Sequence, residues 1–351
     1  MIVIDAHLDL AWNAIQWNRD LSATIPEMRT SEAGMPGPVF GQSTVSFPAM
    51  REGKVAISIA TVLGRPRSDG VMLASYRTRE SAYAAAHGQM AYYRAMERRG
   101  ALRWIKDLPT LERHAAAWLH GGSNEPLGIV LSMEGADPIL DPGQLGEWWD
   151  AGLRLIGLSH YGPGVYAGGT GSEGGLSDDG RKLLKEMRRL GMILDATHLT
   201  DLAFDEALDA FDGPVLASHH NCRSLVPRQR QLSDEHIQRL IERNAVIGAA
   251  FDAWMLDPAW VQGETEATVV NLETVVNHID RVCQLAGNAR HAAIGTDLDG
   301  GFGKPQCPAD LDTIADLQRL PALLSKRGYS SADIKGIMYN NWLDLFRRAW
   351  G

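Results

Sequence analysis

The chain has 351 residues, of which 45% are hydrophobic and 22% are charged, a composition typical of a globular protein. Its formal net charge is −9 at pH 7. No block of lysines and arginines offers phosphate contacts, so the charge disfavours nucleic acid as a partner. The three cysteines, Cys222, Cys283 and Cys307, form no CxxC pair, which argues against a disulfide framework and fits a reducing compartment.

The beginning of the chain does not resemble a secretion signal. Asp5, His7 and Asp9 interrupt its apolar run, and no basic segment precedes that run. No stretch approaches the roughly 18–20 apolar residues that are needed to span a bilayer. We therefore expect a cytoplasmic protein without a membrane partner.

The first predicted strand is an apolar run that ends in His7-Leu8-Asp9. Because side chains alternate between the two faces of a strand, His7 and Asp9 would project together. An imidazole nitrogen and a carboxylate oxygen on one face form half of a metal site. Alone, His-x-Asp is a weak signal, since it occurs by chance in many proteins.

Seven more apolar runs predict strands along the chain. They begin near residues 55, 127, 153, 191, 214, 245 and 292. Most are continuous, as is typical of parallel strands buried on both faces. Helical segments separate most of them, among them residues 75–99, 177–190, 201–210, 268–286 and 331–350. Eight such units predict an α/β fold, a (β/α)8 TIM-type barrel that forms a single domain over residues 1–351.

Histidines or carboxylates end six of the eight predicted strands. They are His7, Asp9, Glu134, His160, His198, His219, Asp297 and Asp299. Each of them alone is more often a satisfied polar residue than a ligand. A barrel, however, brings these strand ends together at the face that holds active sites.

This set of side chains predicts a metal centre at that face. Imidazoles and carboxylates without a thiolate suit Zn²⁺ or another borderline divalent ion. Five or six ligands exceed the needs of one tetrahedral ion but suit two ions about 3.5–4 Å apart. Such ions generate a nucleophile from water, and a remaining strand-end carboxylate would move the proton to the leaving group.

The order and spacing of these residues resemble the membrane (renal) dipeptidase family. The motifs are His7-x-Asp9, Glu134-Gly135, Asp195-x-x-His198, Ser218-His219, Gly295-x-Asp297-x-Asp299-Gly300 and Asn341-x-Leu343-x-x-Phe346. They span nearly the whole chain, and the chain looks like a bacterial-type soluble member of these metal-dependent amidohydrolase-like barrels. The resemblance implies a metallopeptidase with two Zn²⁺ per chain, or another divalent metal. A metal-bridging hydroxide would attack the peptide bond of a small dipeptide, with a D-residue tolerated at the C-terminal position.

The resemblance also assigns roles to residues. The implied metal ligands are His7, Asp9, Glu134 as the bridge, His198 and His219. His160 would contact the substrate carbonyl and stabilise the oxyanion. Asp297 would carry the proton, and Arg230 would bind the substrate's terminal carboxylate through its forked guanidinium. The family further suggests a homodimer.

Several assignments stay open at this point. Adjacent strand residues face opposite ways, so His220 is not a ligand if His219 is one, unless the register is wrong by one. Asp299 is interpreted as structural or as a partner of a ligand. Asp195 is interpreted as structural, and Arg228 is an alternative to Arg230.

Two further functions compete with the dipeptidase. One is a related metal-dependent amidohydrolase that acts on a non-peptide amide or a lactone, and the other is an idle barrel kept for binding. The loops at 31–50, 161–175 and 252–266 would shape the pocket. Phe251-Asp252-Ala-Trp254 stands where animal members of the family have a tyrosine. The role of Asp252 and the preferred substrate side chains therefore stay open.

Overall fold

The computed structural model describes residues 1–37, 39–66, 75–122 and 124–351. Pro38, which falls in the predicted loop 31–50, lies outside these ranges. The strands are β1 (Val3–Leu8), β2 (Val55–Leu63), β3 (Arg65–Pro66), β4 (Ser75–Tyr76), β5 (Leu102–Trp104), β6 (Leu127–Glu134), β7 (Leu153–Gly157), β8 (Ile193–Asp195), β9 (Val215–Leu216), β10 (Ile247–Ala249) and β11 (Ala292–Ile294).

Helices follow or separate these strands. They are α1 (Leu10–Gln16), α2 (Ile25–Ser31), α3 (Phe47–Glu52), α4 (Arg79–Arg98), α5 (Leu108–Leu119), α6 (Leu145–Ala151), α7 (Asp178–Leu190), α8 (Asp201–Ala210), α9 (Asp234–Glu242), α10 (Ala253–Leu256), α11 (Leu272–Ala286), α12 (Leu320–Lys326), α13 (Ser331–Lys335) and α14 (Asn341–Trp350). Over the described ranges, none of these helices has both the length and the apolar character needed to cross a membrane.

All eight predicted barrel strands are present, and they pair in parallel. One sheet runs in the order β1-β2-β6-β7-β8-β9, and β10 pairs with β11. A parallel bridge between Ala217 and Ile247 connects β9 to β10. Beyond β11, the main-chain nitrogen of Asp297 donates to the oxygen of His7, which lies in β1, at 3.3 Å. The predicted α/β fold class of the TIM type is confirmed.

The central strands are buried along their whole length, as their continuous apolar sequences predict. Every residue of β2 and of β6 is buried. The last strands pack tightly around the main-chain oxygen of Ser218. A Cβ atom on Gly295 would lie 1.7 Å from that oxygen, and one on Gly248 would lie 2.0 Å from it. Glycine at both positions therefore allows the barrel to close here.

Most helix ends follow local chemistry. The side chain of Ser177 accepts a hydrogen bond from the nitrogen of Gly180 and caps α7, which ends at the left-handed Gly191. The helix predicted over 331–350 differs, because a π-helical segment, Gly336–Asn340, interrupts it. After this wider turn, Nδ2 of Asn341 donates to the oxygens of Ala289 and Ala292 at 2.7 and 2.8 Å, contacts that a local sequence pattern does not reveal.

Candidate metal centre

Five of the barrel strands end three residues before a histidine or an aspartate. The strands β7, β8, β9, β10 and β11 end at Gly157, Asp195, Leu216, Ala249 and Ile294. The residues three positions further on are His160, His198, His219, Asp252 and Asp297. Four of the predicted strands extended to or past these residues, at His160, His198, His219 and Asp297, so the prediction made these strands too long. The functional side chains stand on the turns that leave the strands.

Two of these turn residues have a left-handed backbone. The φ angle is 69° at His198 and 59° at Asp297. This conformation is uncommon for residues other than glycine and costs on the order of 1–3 kcal/mol. Side-chain alternation along an extended strand therefore does not decide where these two side chains point.

The Oε1 atom of Glu134 is the centre of the cluster. It lies 3.1 Å from Nε2 of His198, 3.5 Å from Nε2 of His219 and 3.5 Å from Nε2 of His7. Nε2 of His160 is 3.7 Å away. One carboxylate, at the end of β6, thus faces four imidazoles from four other parts of the barrel mouth.

Three overlapping groups in the described chain have atoms close enough to hold a cation. Each group offers three ligand atoms within 4.8 Å of one another: His7, Glu134 and His219; Glu134, His160 and His198; and His7, Asp9 and Asp297. Nε2 of His7 is buried and has no hydrogen-bond partner among the described residues. A buried polar atom without a partner is costly unless a ligand occupies it. The donor set and this orphaned nitrogen fit divalent metal ions.

Neighbouring hydroxyl groups orient the imidazoles so that Nε2 faces the centre. The hydroxyl of Thr170 donates to the main-chain oxygen of His198 at 3.3 Å and lies 3.0 Å from Nδ1 of the same residue. It can therefore accept the Nδ1 proton, which leaves a lone pair on Nε2. Oγ of Ser218 lies 2.9 Å from Nδ1 of His219 and acts on that ring in the same way.

Asp9 is held from the strand beside it. The hydroxyl of Thr61, on β2, hydrogen-bonds to Oδ1 of Asp9. The main-chain oxygen of Thr61 accepts a hydrogen bond from the hydroxyl of Tyr93 at 2.7 Å. The Tyr93 hydroxyl also accepts a hydrogen bond from the nitrogen of Ala11 at 3.1 Å. This chain of contacts fixes the carboxylate before any ion binds.

Burial and the proximity of other charged groups shift the pKa values of the carboxylates and of His7. Burial, with the neighbouring Glu134, raises the pKa of Asp9 to about 6, and burial raises the pKa of Asp297 well above its usual value. Burial alone would lower the pKa of His7, but Glu134, Asp9 and Asp297 outweigh it and raise this pKa to about 10. Three carboxylates thus crowd one imidazole, and this crowding favours a proton on His7 and opposes the charged forms of Asp9 and Asp297.

The other imidazoles have the opposite tendency. Burial, followed by the positive charge of Arg230, lowers the pKa of His198 well below its usual value. Burial, with a smaller contribution from Arg65 that Glu134 opposes, lowers the pKa of His160 to about 4. Neutral imidazoles are the form that binds metal ions or donates a single hydrogen bond.

Arg230 and Arg228 have different surroundings. Nη2 of Arg230 donates to the main-chain oxygen of His219 at 2.9 Å and lies 3.5 Å from Nε2 of His198. Its Nε and Nη1 atoms are buried and have no partner within the described chain. Arg228 instead donates to the main-chain oxygens of Trp254, Pro258 and Trp260. Arg230 is thus the arginine with unused donors next to the cluster.

The remaining open residues have structural partners. Nε2 of His220 lies 2.9 Å from the main-chain oxygen of Arg230, and Oδ1 of Asp195 accepts from the nitrogens of Thr197 and Ser218. The carboxylate of Asp299 accepts from the nitrogens of Thr44 and Val45 and lies 3.3 Å from Nη1 of Arg19. Oδ1 of Asp252 accepts from the nitrogen of Trp254 and from Nε2 of Gln306.

The sequence patterns did not indicate Thr61, Thr170, Tyr93 or Arg65, and Ser218 entered only as part of the Ser218-His219 motif. Arg65 had a usable signal, because it stands two residues after the end of β2, at the same rim as the other strand-end residues. Nη1 of Arg65 lies 3.2 Å from Nδ1 of His160. The roles of the hydroxyl groups are found only through contacts in the folded chain.

Comparison with known proteins gives one family and several relatives. A sequence model described as membrane dipeptidase (peptidase family M19) matches residues 1–350. An uncharacterized protein from the pqqA 5′ region of Klebsiella pneumoniae is 29% identical over 234 residues, which cover 64% of this chain and 83% of that protein. An uncharacterized dipeptidase of Schizosaccharomyces pombe is 29% identical over 226 residues, which cover 63% of this chain but only 53% of that protein. The chain thus matches about half of the length of this second relative.

The fold of this chain is similar to that of solved structures. A metallo peptidase from Rhodobacter sphaeroides, liganded with a phosphinate mimic of the dipeptide L-Ala-D-Ala, superposes with a TM-score of 0.80 at 23% identity. The superposition covers 100% of this chain and 99% of that one. At this identity the similarity supports the fold.

Proposed function

The chain belongs to the membrane dipeptidase family, a family of metal-dependent hydrolases, and we propose that it is a binuclear zinc dipeptidase that acts on small dipeptides. The observation that carries the proposal is the pair formed by His198 and His219. Their Nε2 atoms lie 3.2 Å apart, and both face Oε1 of Glu134. Two neutral imidazoles in this arrangement direct lone pairs toward the same place, as ligands of one ion do.

We propose His7 and Asp9 as ligands of one ion, His198 and His219 as ligands of the second, and Glu134 as the bridge. Bound there, the two ions would supply a nucleophile from water whose pKa they lower, and they would polarise the substrate carbonyl. Asp297 is close to this set, since its Oδ1 lies 3.8 Å from Nε2 of His7. Its raised pKa suits a group that takes up a proton and passes it to the leaving amine.

Arg230 would bind the substrate at its C-terminal carboxylate, and His160 would bind it at the carbonyl oxygen of the peptide bond. The unpartnered donors of Arg230 match the two oxygens of a C-terminal carboxylate. An Nε2–H group on His160 would donate to the carbonyl oxygen and stabilise the charge that develops on it. Both residues border the proposed ligands, so a dipeptide that contacts the two would place its peptide bond over the metal centre.

A D-residue at the C-terminal position is part of the proposal. The resemblance to the family supports it, and the Rhodobacter sphaeroides relative has been solved with a mimic of L-Ala-D-Ala. The preferred side chains depend on the loops around the pocket, where this chain departs from the animal members. The cytoplasmic location, the single domain and the homodimer stay predictions.

Hydrolysis of matched dipeptide libraries tests the function. The zinc-replete protein is assayed with L-Xaa-L-Xaa and L-Xaa-D-Xaa dipeptides, with their C-terminal amides as matched controls. We expect hydrolysis of free dipeptides and little hydrolysis of the amides, because an amide cannot satisfy Arg230. Hydrolysis of lactones or non-peptide amides without dipeptide hydrolysis would favour the alternative amidohydrolase. A bound metal content clearly below one ion per chain would contradict both.

A further inference from the structure

His160 lies between the metal centre and an arginine. Its Nε2 atom is 3.7 Å from Oε1 of Glu134, and its Nδ1 atom is 3.2 Å from Nη1 of Arg65. The ring also packs edge-on against His198, with ring centroids 4.4 Å apart. By distance alone, Glu134, His160 and His198 qualify as a metal-binding group. These distances between heavy atoms are compatible with two roles for His160, as a metal ligand or as a hydrogen-bond donor.

The chemistry of Arg65 decides between these roles. A guanidinium group has only donors and stays protonated in proteins. The atom that it faces, Nδ1 of His160, must therefore accept. A neutral imidazole with an acceptor at Nδ1 carries its proton at Nε2. A protonated Nε2 has no lone pair for a metal ion and can only donate.

Arg65 is itself held in place. Only 7% of its surface is exposed, and its guanidinium lies over the ring of Tyr161 at 5.9 Å from the ring centroid. Tyr161 in turn packs edge-on against His160 at 4.9 Å. The backbone of His160 is anchored as well, because its oxygen accepts from the nitrogen of Thr170 at 2.9 Å. The contact between Arg65 and His160 thus joins two constrained groups.

We propose that Arg65 is a positioning residue that fixes His160 as the Nε2–H tautomer, excludes it from the metal ligands and aims its proton at the carbonyl oxygen of the substrate. The inference rests on the proposed dipeptidase function for the last of these roles. The tautomer itself depends only on the hydrogen bond between the two side chains.

Nitrogen-15 NMR of the zinc-loaded, histidine-labelled protein tests the tautomer without turnover. The signals of His160 are identified by their loss in His160→Gln. We expect the Nε2–H tautomer in the wild type and in Arg65→Lys, which keeps a cationic donor, and a mixture or the Nδ1–H form in Arg65→Met. An Nδ1–H or metal-bound His160 in the wild type would overturn the proposal, and so would an unchanged tautomer in Arg65→Met.

A double-mutant cycle on dipeptide hydrolysis tests the catalytic consequence. Loss of one oxyanion donor lowers kcat by about 10²–10³-fold, so Arg65→Met should lower kcat by roughly tenfold or more with KM little changed. In the His160→Gln background, the same substitution should change kcat less than twofold, because Arg65 acts through His160. Losses that multiply would indicate a structural role only.

Arg79→Met is the matched control for that cycle. The guanidinium of Arg79 donates to the main-chain oxygens of Asp137 and Leu140. None of its hydrogen bonds within the described ranges goes to His160, so its effect should multiply with that of His160→Gln. If the wild-type protein hydrolyses no dipeptide, the proposed function fails, while the NMR result still decides the tautomer.

Discussion

Nε2 of His198 and Nε2 of His219 lie 3.2 Å apart, next to the same oxygen of Glu134. Burial lowers the pKa of both histidines well below the usual value, so neither ring holds a second proton. With the ring protons on Nδ1, toward Thr170 and Ser218, the two Nε2 lone pairs repel each other unless a cation lies between or beside them. The arrangement explains why we expect metal ions at the proposed centre to stabilise the fold.

Removal of the proposed bridging carboxylate, Glu134, should weaken metal binding. Glu134→Gln keeps the size of the side chain but removes the charge that faces four imidazoles. We expect a loss of at least one bound zinc per chain, measured by elemental analysis, and a loss of activity. Glu242→Gln, an exposed change at the end of α9, is the matched control. Full metal content in Glu134→Gln would contradict the bridging role.

Zinc should also raise the stability of the metal-free protein. A ligand that binds only the folded state at 100 times its Kd adds about 2.7 kcal/mol to the free energy of unfolding. We therefore expect the Tm of the protein prepared with a chelator to rise when zinc is added. The rise should shrink in His7→Asn, because Nε2 of His7 is buried without a hydrogen-bond partner in the described chain. An equal rise in the Tm of both proteins would show that His7 is not a metal ligand.

Substitution of Arg230 and substitution of Arg228 should have different effects on the KM for a dipeptide. Hydrogen bonds to charged groups contribute about 1.5–3 kcal/mol, so Arg230→Ala should raise KM for a dipeptide about 10–100-fold. Arg228→Ala should instead lower thermal stability, because Arg228 holds the main chain at Trp254, Pro258 and Trp260. The KM values of both variants, with Tm measured alongside, check this. A larger KM effect in Arg228→Ala would reassign the carboxylate-binding arginine.

Asp297 and Asp299 belong to one motif, but substitution of Asp297 should lower activity whereas substitution of Asp299 should lower stability. General acid–base catalysis contributes about 10²–10⁴-fold, so Asp297→Asn should lower kcat by that order while the chain stays folded. Asp299→Asn removes a buried charge that pairs with Arg19 and accepts from Thr44, which costs about 3–5 kcal/mol of stability. Steady-state kinetics and thermal unfolding distinguish the two. The proton-transfer role of Asp297 would be wrong if its asparagine variant kept wild-type kcat.

His278 should make the metal-free fold sensitive to mild acid. Burial lowers its pKa from 6.5 to about 4, and its Nδ1 accepts from the nitrogen of Cys222 at 3.0 Å. The folded pKa is the lower one, so the unfolded chain binds more protons between these values. The stabilisation is complete above about pH 6.5 and is lost as the pH falls toward about 4, by about 3 kcal/mol in total.

The variant His278→Asn keeps an acceptor for Cys222 but does not titrate. Between pH 7 and pH 5, its free energy of unfolding should fall by about 2 kcal/mol less than that of the wild type. Urea unfolding in the presence of a chelator measures this without interference from metal binding. His120→Asn, a change at an exposed histidine, should follow the wild type. Equal slopes in all three proteins would exclude His278 as the cause.

Local patterns were sufficient to predict the barrel and the chemical nature of its mouth. Runs of buried apolar residues such as Val55–Leu63 and Leu127–Glu134 are typical of parallel strands. Glu134 lies in a regularly paired part of β6, so side-chain alternation applies to it, whereas the pairing of β1 with β2 is irregular between Asp5 and Leu8, around His7. The family resemblance then named the remaining candidates, and the family match confirmed the class of enzyme.

The tertiary structure decided which atoms meet. His198 and Asp297 stand on left-handed turns beyond their strands, where alternation of side chains no longer applies. The choice between Arg230 and Arg228 depends on which guanidinium finds main-chain oxygens in another loop, and the proton on His160 depends on Arg65, 95 residues earlier in the chain. Hydrophobic periodicity reports only whether a position is buried. The closure of the barrel brings these distant donors and acceptors together, so hydrogen bonding at the site could be read only from the folded chain.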